Sequence, residues 1–184
     1  MRRVVITGAG VISPIGNSVE SFWDSLRSGR HGISPITGID NLTPVQVAAQ
    51  IRDFDPSQWM DRKEAKRMDR FCQFAVAAAL DALKDSGTDF KDLDPYRVGV
   101  IVGSGSGGME SVESSCRTYD QKGPKRVSVF FIPMMIANMA AGNISIKTGF
   151  KGANFAPVTA CATSSHAVGE AFRNIKAFPT AVFA

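Results

Sequence analysis

Residues 154–170 read NFAPVTACATSSHAVGE, an apolar extended run that turns sharply into an amphipathic helical pattern, with Cys161 at the turn. The N-terminus of a helix has unpaired backbone N–H groups and the positive end of the helix dipole. A helix that begins at or just after Cys161 therefore favours the thiolate, the form of cysteine that attacks carbonyl carbon. This stretch predicts a strand over residues 154–158, a turn at Cys161 and a helix over about residues 162–176, with the nucleophile at the turn.

Three more strand patterns lie elsewhere in the chain. Residues 4–6 and 98–102 are apolar and rich in β-branched side chains, and a further apolar run occupies residues 181–184. Short uncharged runs of this kind are typical of buried strands in parallel sheets. Because helical patterns separate them, we predict an α/β fold with a mainly parallel sheet and flanking helices.

Two capping boxes predict where helices begin. The box at residues 17–20, from Asn17 to Glu20, precedes an apolar pattern that ends at Gly29. The box at residues 61–64 opens a long amphipathic helix that ends at Gly87. Cys72 lies on the apolar stripe of this second helix, which predicts a core position.

Two segments have weaker patterns. Residues 30–58 contain three prolines and predict a loop with a short strand near residues 45–51. Residues 129–143 contain Pro133, which suits the first turn of a helix, and three methionines. This methionine-rich surface fits the core, a subunit interface or the wall of a pocket for a flexible aliphatic ligand.

The composition excludes several classes of protein. The chain has 184 residues, of which 44% are hydrophobic and 21% charged, as in one globular domain with a core. The net charge is only +4, and the basic residues are scattered apart from one cluster. We therefore expect neither nucleic acid nor a membrane as a partner. Three cysteines without CxxC spacing fit neither a disulfide framework nor a zinc site, and a reducing cytoplasm is expected. The N-terminal apolar run is too short for a signal peptide.

The glycines after the first strand do not form a dinucleotide-binding fingerprint. Ser13 stands where the third glycine of GxGxxG is needed, and Pro14 follows it. No second strand ending in Asp or Glu follows at the required distance. The sequence therefore disfavours a nucleotide site, and we expect no cofactor and no metal.

Several motifs in a fixed order point to one known family. They are RVVITG at 3–8, SPIGN at 13–17, RKE at 62–64 with MD at 68–69, GSG at 103–105 with GG at 107–108, FFIP at 130–133 with NM at 138–139, and TAC at 159–161. With these motifs the chain resembles the N-terminal half of an elongating β-ketoacyl-acyl carrier protein synthase, of the type II class found in bacterial fatty acid synthesis. The resemblance implies a thiolase-like layered fold and a homodimer.

The resemblance assigns a role to Cys161. It implies that Cys161 accepts an acyl group from acyl carrier protein, and that the carbanion formed by decarboxylation of malonyl-carrier protein then joins this acyl group. The backbone N–H of Cys161 can be one oxyanion donor. The family's enolate-stabilising histidines, with a lysine and a second oxyanion donor, lie in its C-terminal half. His166 is about 140° around the helix from Cys161, and His31 falls in a loop, so neither replaces them.

The resemblance also implies two binding surfaces. An acyl tunnel, or its dimer wall, is bordered by Ser106, Gly107, Gly108 and Phe131. At Ser106 the family often has a bulkier apolar residue, so the preferred acyl length stays open.

A basic cluster opens the long helix and consists of Arg62, Lys63, Lys66, Arg67 and Arg70. Its pattern alone fits a solvated helix face. Acyl carrier proteins are acidic, and the resemblance makes the first four of these residues a docking surface for the carrier protein. Cys116 has no flanking motif and is unassigned.

We expect residues 1–184 to be an incomplete thiolase-like N-terminal domain whose C-terminal half is absent, because the resemblance weakens after Lys176. The expected partners are acyl carrier protein with acyl and malonyl thioesters, and either a second copy or a chain that supplies the missing half. Three functions stay open. They are the nucleophile-bearing half of the synthase, a non-catalytic half that dimerises or binds carrier protein, and a free-standing thiol acyltransferase.

Overall fold

A computed structural model describes residues 3–38, 44–178 and 181–183, the last three by their backbone alone. In chain order the helices are α1 (Val19–Arg27), α2 (Arg62–Ala65), α3 (Arg70–Asp85), α4 (Met109–Lys122), α5 (Phe131–Met135), α6 (Met139–Thr148) and α7 (Thr163–Ala177). The strands are β1 (Ile33–Pro35), β2 (Val47–Ala49), β3 (Val98–Ile101), β4 (Asn154–Phe155) and β5 (Ala181–Phe183).

The main sheet is parallel, as predicted. Within the described residues β3 lies between β4 and β5, and both pair with it in parallel. Every residue of β3 is buried, which agrees with the uncharged run at 98–102. The run predicted at 181–184 is confirmed for β5, whereas Ala184 lies outside the described residues.

Strand β4 is shorter than the predicted strand at 154–158. Its ladder ends where the amide of Val102 donates to the carbonyl of Phe155. Pro157 has no N–H to donate and so cannot continue a ladder. The chain therefore leaves the sheet early and has room to turn before Cys161.

Helices cover both faces of the sheet. Side chains alternate along a strand, and Val98 and Val100 face a core cluster that includes residues of α3 and α6. Ile101 faces the opposite side, where it packs with Ala167 and Ala171 of α7. In the described part of the chain, no helix is both long and apolar enough to span a bilayer.

The prediction of a buried strand at residues 4–6 was wrong. Val5 and Ile6 are 62% and 88% exposed, and the segment has no strand pairing. The reason is that β4 and β5 occupy both edges of β3, so no backbone edge of β3 is left for this segment. The chain instead lies on α3, where the amide of Ala9 donates to Asp85 Oδ2 at 2.9 Å.

Gly10 makes this contact with α3 close. A β-carbon at position 10 would overlap the carbonyl oxygen of Ala78. We expect Gly10→Ala to lower the free energy of unfolding by about 1–3 kcal/mol, as overpacking does in other cores. Urea unfolding measures the change.

The matched control for Gly10 is Gly169, which lies inside α7 with open space around its Cα. Gly169→Ala is expected to leave stability unchanged or to raise it by about 0.5–1 kcal/mol, because alanine favours a helix interior. Equal stabilities of the two variants would contradict the close contact at Gly10.

Helix α1 is present, but its cap differs from the prediction. Ser18 is the N-cap residue, and it exchanges hydrogen bonds with Ser21 in a capping box. Asn17, the predicted cap, instead donates from Nδ2 to the carbonyl of Asp53 at 2.8 Å. The helix ends close to Gly29, whose φ of +67° suits glycine.

The long helix predicted over residues 61–87 is divided. The capping box of Asp61 and Glu64 is confirmed, but α2 has only four residues. Asp69 is in extended backbone and caps a second helix, α3, which carries the predicted apolar stripe to Asp85. A new N-cap inside the pattern interrupts the helix without changing which residues are apolar, so periodicity did not detect it.

The predicted short strand near residues 45–51 is confirmed as β2. It pairs with β1 in an antiparallel hairpin that the sequence pattern did not predict. A cleft lies between this hairpin and α1, and all its lining residues fall between positions 13 and 53. None of the predicted site residues lines this cleft.

Candidate active site

Cys161 lies in a single turn of 3₁₀ helix, Ala160–Ala162, between β4 and α7. The cysteine is exposed. Ala160 has a φ of +50°, and no other non-glycine residue of the described ranges has a positive φ. A left-handed backbone is unfavourable for alanine, so neighbouring contacts must hold this sharp turn.

Helix α7 begins at Thr163, just after Cys161 as predicted. Its N-cap residue, Ala162, provides no side-chain acceptor for the backbone N–H groups of the first turn. The positive end of a helix of 15 residues is therefore not neutralised by a capping side chain. Negative charge that develops on an acyl oxygen beside this end would be stabilised.

Thr159 connects the turn to α7 by two hydrogen bonds. Its amide donates to Thr163 Oγ1 at 2.9 Å. Its hydroxyl is hydrogen-bonded to His166 Nδ1 at 2.7 Å. His166 is thus hydrogen-bonded to the residue two positions before Cys161.

The glycine-rich loop after β3 approaches the same region. A side chain at Gly103 would overlap Thr163, so the loop and the start of α7 are in close contact. Farther along, Gly107 has a φ of +72°, and its amide donates to Ser104 Oγ at 3.0 Å. This conformation folds the loop back toward α5.

The predicted tunnel residues come together only in part. The amide of Gly108 donates to the carbonyl of Met135 at 2.9 Å, and a side chain at Gly107 would also meet that carbonyl. Both glycines therefore pack on α5, the helix that begins with Phe131. Phe131 is half-buried, whereas Ser106 is exposed on the loop.

Asp69 links two helices in this region, a role that was not predicted from the sequence. The residue is 7% exposed, and its Oδ2 accepts hydrogen bonds from the amide of Ser111 at 2.8 Å and the hydroxyl of Ser111 at 2.6 Å. Asp69 thereby joins the start of α3 to the start of α4. An Asp just before an apolar helical run is an N-cap signal that could have found the first of these roles.

The basic cluster is divided by the break between α2 and α3. Arg62 and Lys63 are exposed on α2, and Lys66 and Arg67 are exposed on the turn that follows. None of these four forms an ion pair with another residue of the described chain. No ion pair within the described residues therefore neutralises these four positive charges.

Two members of the cluster, Arg67 and Arg70, contact aromatic rings. Arg67 stacks on the ring of Phe130, with 4.9 Å between the guanidinium carbon and the ring centroid. Arg70 is used internally, since it donates to the carbonyl of Ile51 at 3.1 Å and lies over the ring of Phe74. The stacking of Arg67 brings the basic surface next to the start of α5.

Glu64 lies beside the cluster and pairs with Lys147 Nζ at 2.8 Å. The hydrogen bond from Lys147, followed by one from the amide of Asp61, lowers the pKa of the Glu64 carboxyl. The bridge tethers α2 to α6 and leaves the four exposed cations unpaired.

The cysteines differ in accessibility. Cys72 is completely buried, as predicted, and burial raises the pKa of its thiol to about 12. Cys116 on α4 and Cys161 are exposed. We expect iodoacetamide at pH 8 to alkylate Cys116 and Cys161 in the folded chain, and Cys72 at least about 100-fold more slowly.

Peptide mass spectrometry with and without urea measures the three rates. Unfolding should expose Cys72 and make its rate similar to that of Cys116, which serves as the reference thiol. Fast alkylation of Cys72 in the folded chain would contradict its burial. His31 is exposed in the loop before β1 and lines the cleft beside α1, to which none of the predicted site residues contributes.

Comparison with known proteins gives consistent likenesses. A profile of the family described as "Beta-ketoacyl synthase, N-terminal domain" matches residues 1–179. The chain is 47% identical over 176 residues to "3-oxoacyl-[acyl-carrier-protein] synthase 2" of Synechocystis sp., which covers 95% of this chain and 42% of that protein. The chain thus spans less than half the length of this relative.

Solved structures have the same fold. The ishigamide ketosynthase/chain length factor has a TM-score of 0.90 at 30% identity over 97% of this chain and 45% of its own. The complex AntDE:AntF contains a type II PKS acyl-carrier protein with its ketosynthase bound to the hexaketide. It matches with a TM-score of 0.79 at 24% identity, over 96% of this chain and 47% of its own.

Proposed function

Because the chain belongs to the β-ketoacyl synthase family, we propose that it serves in a 3-oxoacyl-[acyl-carrier-protein] synthase of fatty acid synthesis, with Cys161 as the acyl acceptor. The observation that carries this proposal is the exposed thiol on a strained turn at the uncapped start of α7. Such a turn presents a nucleophile beside backbone N–H donors, as acyl transfer requires.

The proposed reaction has two steps. In the first, Cys161 Sγ forms a bond to the acyl carbon, and the bond from that carbon to the carrier protein's sulfur breaks, so the carrier thiol leaves with a proton. In the second, malonyl-carrier protein loses carbon dioxide, and its carbanion attacks the acyl carbon on Cys161. The bond to Sγ then breaks, which releases the 3-oxoacyl-carrier protein, and the Cys161 thiolate takes up a proton from solvent to restore the thiol.

We assign the two steps to different parts of the enzyme. The backbone N–H of Cys161 and the start of α7 stabilise the oxyanion of the acyl intermediates. The enolate of the second step needs the histidines and lysine that family members have in their C-terminal half. We accordingly propose that residues 1–184 are the thiolase-like N-terminal domain of the synthase. In this proposal a C-terminal half in the same assembly completes the active site.

The acyl chain is proposed to lie beside the glycine loop and α5. Gly107 and Gly108 pack on the carbonyls at the end of α5, and Phe131 begins that helix. Ser106 is exposed on the same loop, where a small side chain leaves space. The methionines of α5 add an adaptable apolar wall to this site. We also propose that the protein is a cytoplasmic homodimer, in which the partner subunit would cover the exposed Ile132.

The four exposed cations Arg62, Lys63, Lys66 and Arg67 are proposed to dock acyl carrier protein. They are unpaired, and Arg67 reaches Phe130 beside α5, so a carrier protein bound here would be close to the proposed acyl site. Opposite charges on two such surfaces mainly steer association.

Charge reversal tests this surface. The double variant Lys66→Glu, Arg67→Glu is expected to weaken binding of acyl carrier protein about tenfold at low salt, because two attractions become repulsions. The difference should shrink as salt is raised. Surface plasmon resonance measures both.

Lys91→Glu is the matched control, since Lys91 is an exposed cation outside the cluster. It should leave carrier-protein binding within about twofold of the wild type. An equal loss in the control and the double variant would contradict a specific docking surface.

One experiment tests the proposed function. The chain is incubated with acyl-carrier protein, alone and then with malonyl-carrier protein, and mass spectrometry measures the adduct on Cys161 and any 3-oxoacyl product. An acyl adduct on Cys161 supports the proposal, and a product that forms only when a C-terminal half is added supports the assignment of the second step.

The other outcomes separate the alternatives. An adduct that turns over to other thiols without any condensation, even with the C-terminal half present, favours a thiol acyltransferase. Carrier-protein binding without an adduct favours a non-catalytic half. Condensation by residues 1–184 alone would overturn the assignment of the enolate groups to a C-terminal half.

A further inference from the structure

The turn before Cys161 requires an explanation, because its backbone is unfavourable. Ala160 has a φ of +50°, a region that alanine rarely adopts. Nothing in the alanine side chain compensates, since it has no polar atom to bond locally. The conformation must therefore be held by the residues on either side.

Thr159 is the residue that holds the turn from its strand side. Its amide donates to Thr163 Oγ1 at 2.9 Å, and its hydroxyl is bonded to His166 Nδ1 at 2.7 Å. Thr163 and His166 are three residues apart in α7 and so lie on one face of the helix. Both bonds thus cross the turn between the same two elements.

On the side of α7, the two partners of Thr159 are held differently. Thr163 is 5% exposed and packs on Gly103 in the loop after β3. His166 is exposed and has no comparable packing, so its hydrogen bond to Thr159 is the contact that restrains the outer side of the turn. The inner side is restrained by Thr163.

We propose that Thr159 and His166 are positioning residues, which clamp the Ala160 turn by their hydrogen bond and so fix Cys161 for acyl transfer. The clamp itself follows from the geometry of the turn. Its effect on acyl transfer rests on the proposed function of Cys161. His166 touches neither acyl group nor thiol in this proposal, and it acts only through Thr159.

Paired variants test the clamp. Thr159→Val and His166→Leu each remove the hydrogen bond, whereas Thr159→Ser keeps the hydroxyl and His166→Asn keeps a polar atom close to the position of Nδ1. Amide hydrogen exchange of a peptide over residues 156–168 measures opening of the turn, and burial of Cys72 against iodoacetamide confirms that each variant is folded.

The clamp predicts a specific pattern. Exchange in this peptide should be about three- to tenfold faster in Thr159→Val and in His166→Leu, and near the wild-type rate in the two conservative variants. The double variant Thr159→Val, His166→Leu should be no faster than either single one, because both remove the same bond. Additive single effects, or equal exchange in Thr159→Val and Thr159→Ser, would overturn the proposal.

Acyl transfer gives the second measurement. The rate of adduct formation on Cys161 from acyl-carrier protein should fall about three- to tenfold in the two disruptive variants and be rescued in the conservative ones. No adduct in the wild type would refute the proposed function, while hydrogen exchange would still decide the clamp. Normal acylation in Thr159→Val, despite an opened turn, would refute the positioning role.

Discussion

Cys161→Ala is expected to abolish formation of the acyl adduct, with a loss of at least about 10⁴-fold in the rate of acyl transfer. Alanine has no nucleophilic atom, and the remaining groups at the turn only bind and orient. The substitution should leave the fold unchanged, because Cys161 is exposed and contributes no packing to the core. Intact-protein mass spectrometry after incubation with acyl-carrier protein measures the adduct.

Cys116→Ala is the matched control, since Cys116 is also an exposed thiol but lies on α4. This variant should form the adduct at the wild-type rate. If Cys161→Ala still acquired an acyl group while Cys116→Ala did not, the nucleophile would be Cys116 and the proposed site would be wrong.

The second large effect is expected at Asp69, on stability rather than on chemistry. Its carboxylate is buried and accepts two short hydrogen bonds from Ser111. Asp69→Ala removes both of these hydrogen bonds, together with the N-cap of α3, and leaves the buried donors of Ser111 unsatisfied. Hydrogen bonds to charged groups are worth about 1.5–3 kcal/mol, so we expect a loss of about 3 kcal/mol in the free energy of unfolding.

Urea unfolding with an unchanged m-value measures this loss. Ser111→Ala removes one of the two donors and should cost less than Asp69→Ala. Asp92→Ala, which removes an exposed carboxylate, should change stability by less than about 0.5 kcal/mol. A free energy for Asp69→Ala close to that of Asp92→Ala would contradict the role of Asp69 in joining α3 to α4.

The thiolase-like α/β fold expected from the sequence is confirmed by the ketosynthase likeness and by the parallel sheet. Local patterns sufficed for β3, whose four residues are all apolar or glycine, and for α7, whose start follows an abrupt change of period. Both features are determined by residues that are close together in the sequence, and a local hydrophobic pattern detects such features.

Features that depend on distant residues were not predictable. The prediction of a strand at residues 4–6 was wrong because β5, which is far along the chain, pairs with the edge of β3 that this segment would need. The bond between Asp69 and Ser111 joins residues 42 positions apart, and no local pattern relates them. The same holds for β1, which was recognisable only by its partner β2.

At the candidate site, the sequence predicted the position of Cys161 at the start of a helix, but not the left-handed backbone of Ala160. Non-glycine residues rarely adopt that conformation, so an alanine at this position does not predict it. The hydrogen bond of His166 to Thr159 is likewise a result of the turn, although the spacing did place His166 away from the thiol.

The pairing of β5 with β3 has a consequence for how the chain folds during synthesis. The paired residues Val98 and Ala181 are about 80 positions apart, which makes this one of the slow, high-contact-order steps of folding. At the usual rate of about 5–20 residues per second, the ribosome needs several seconds to add the chain between them. For that interval one edge of β3 has no β5 to pair with, and an unpaired strand edge of this kind is open to pairing with another chain.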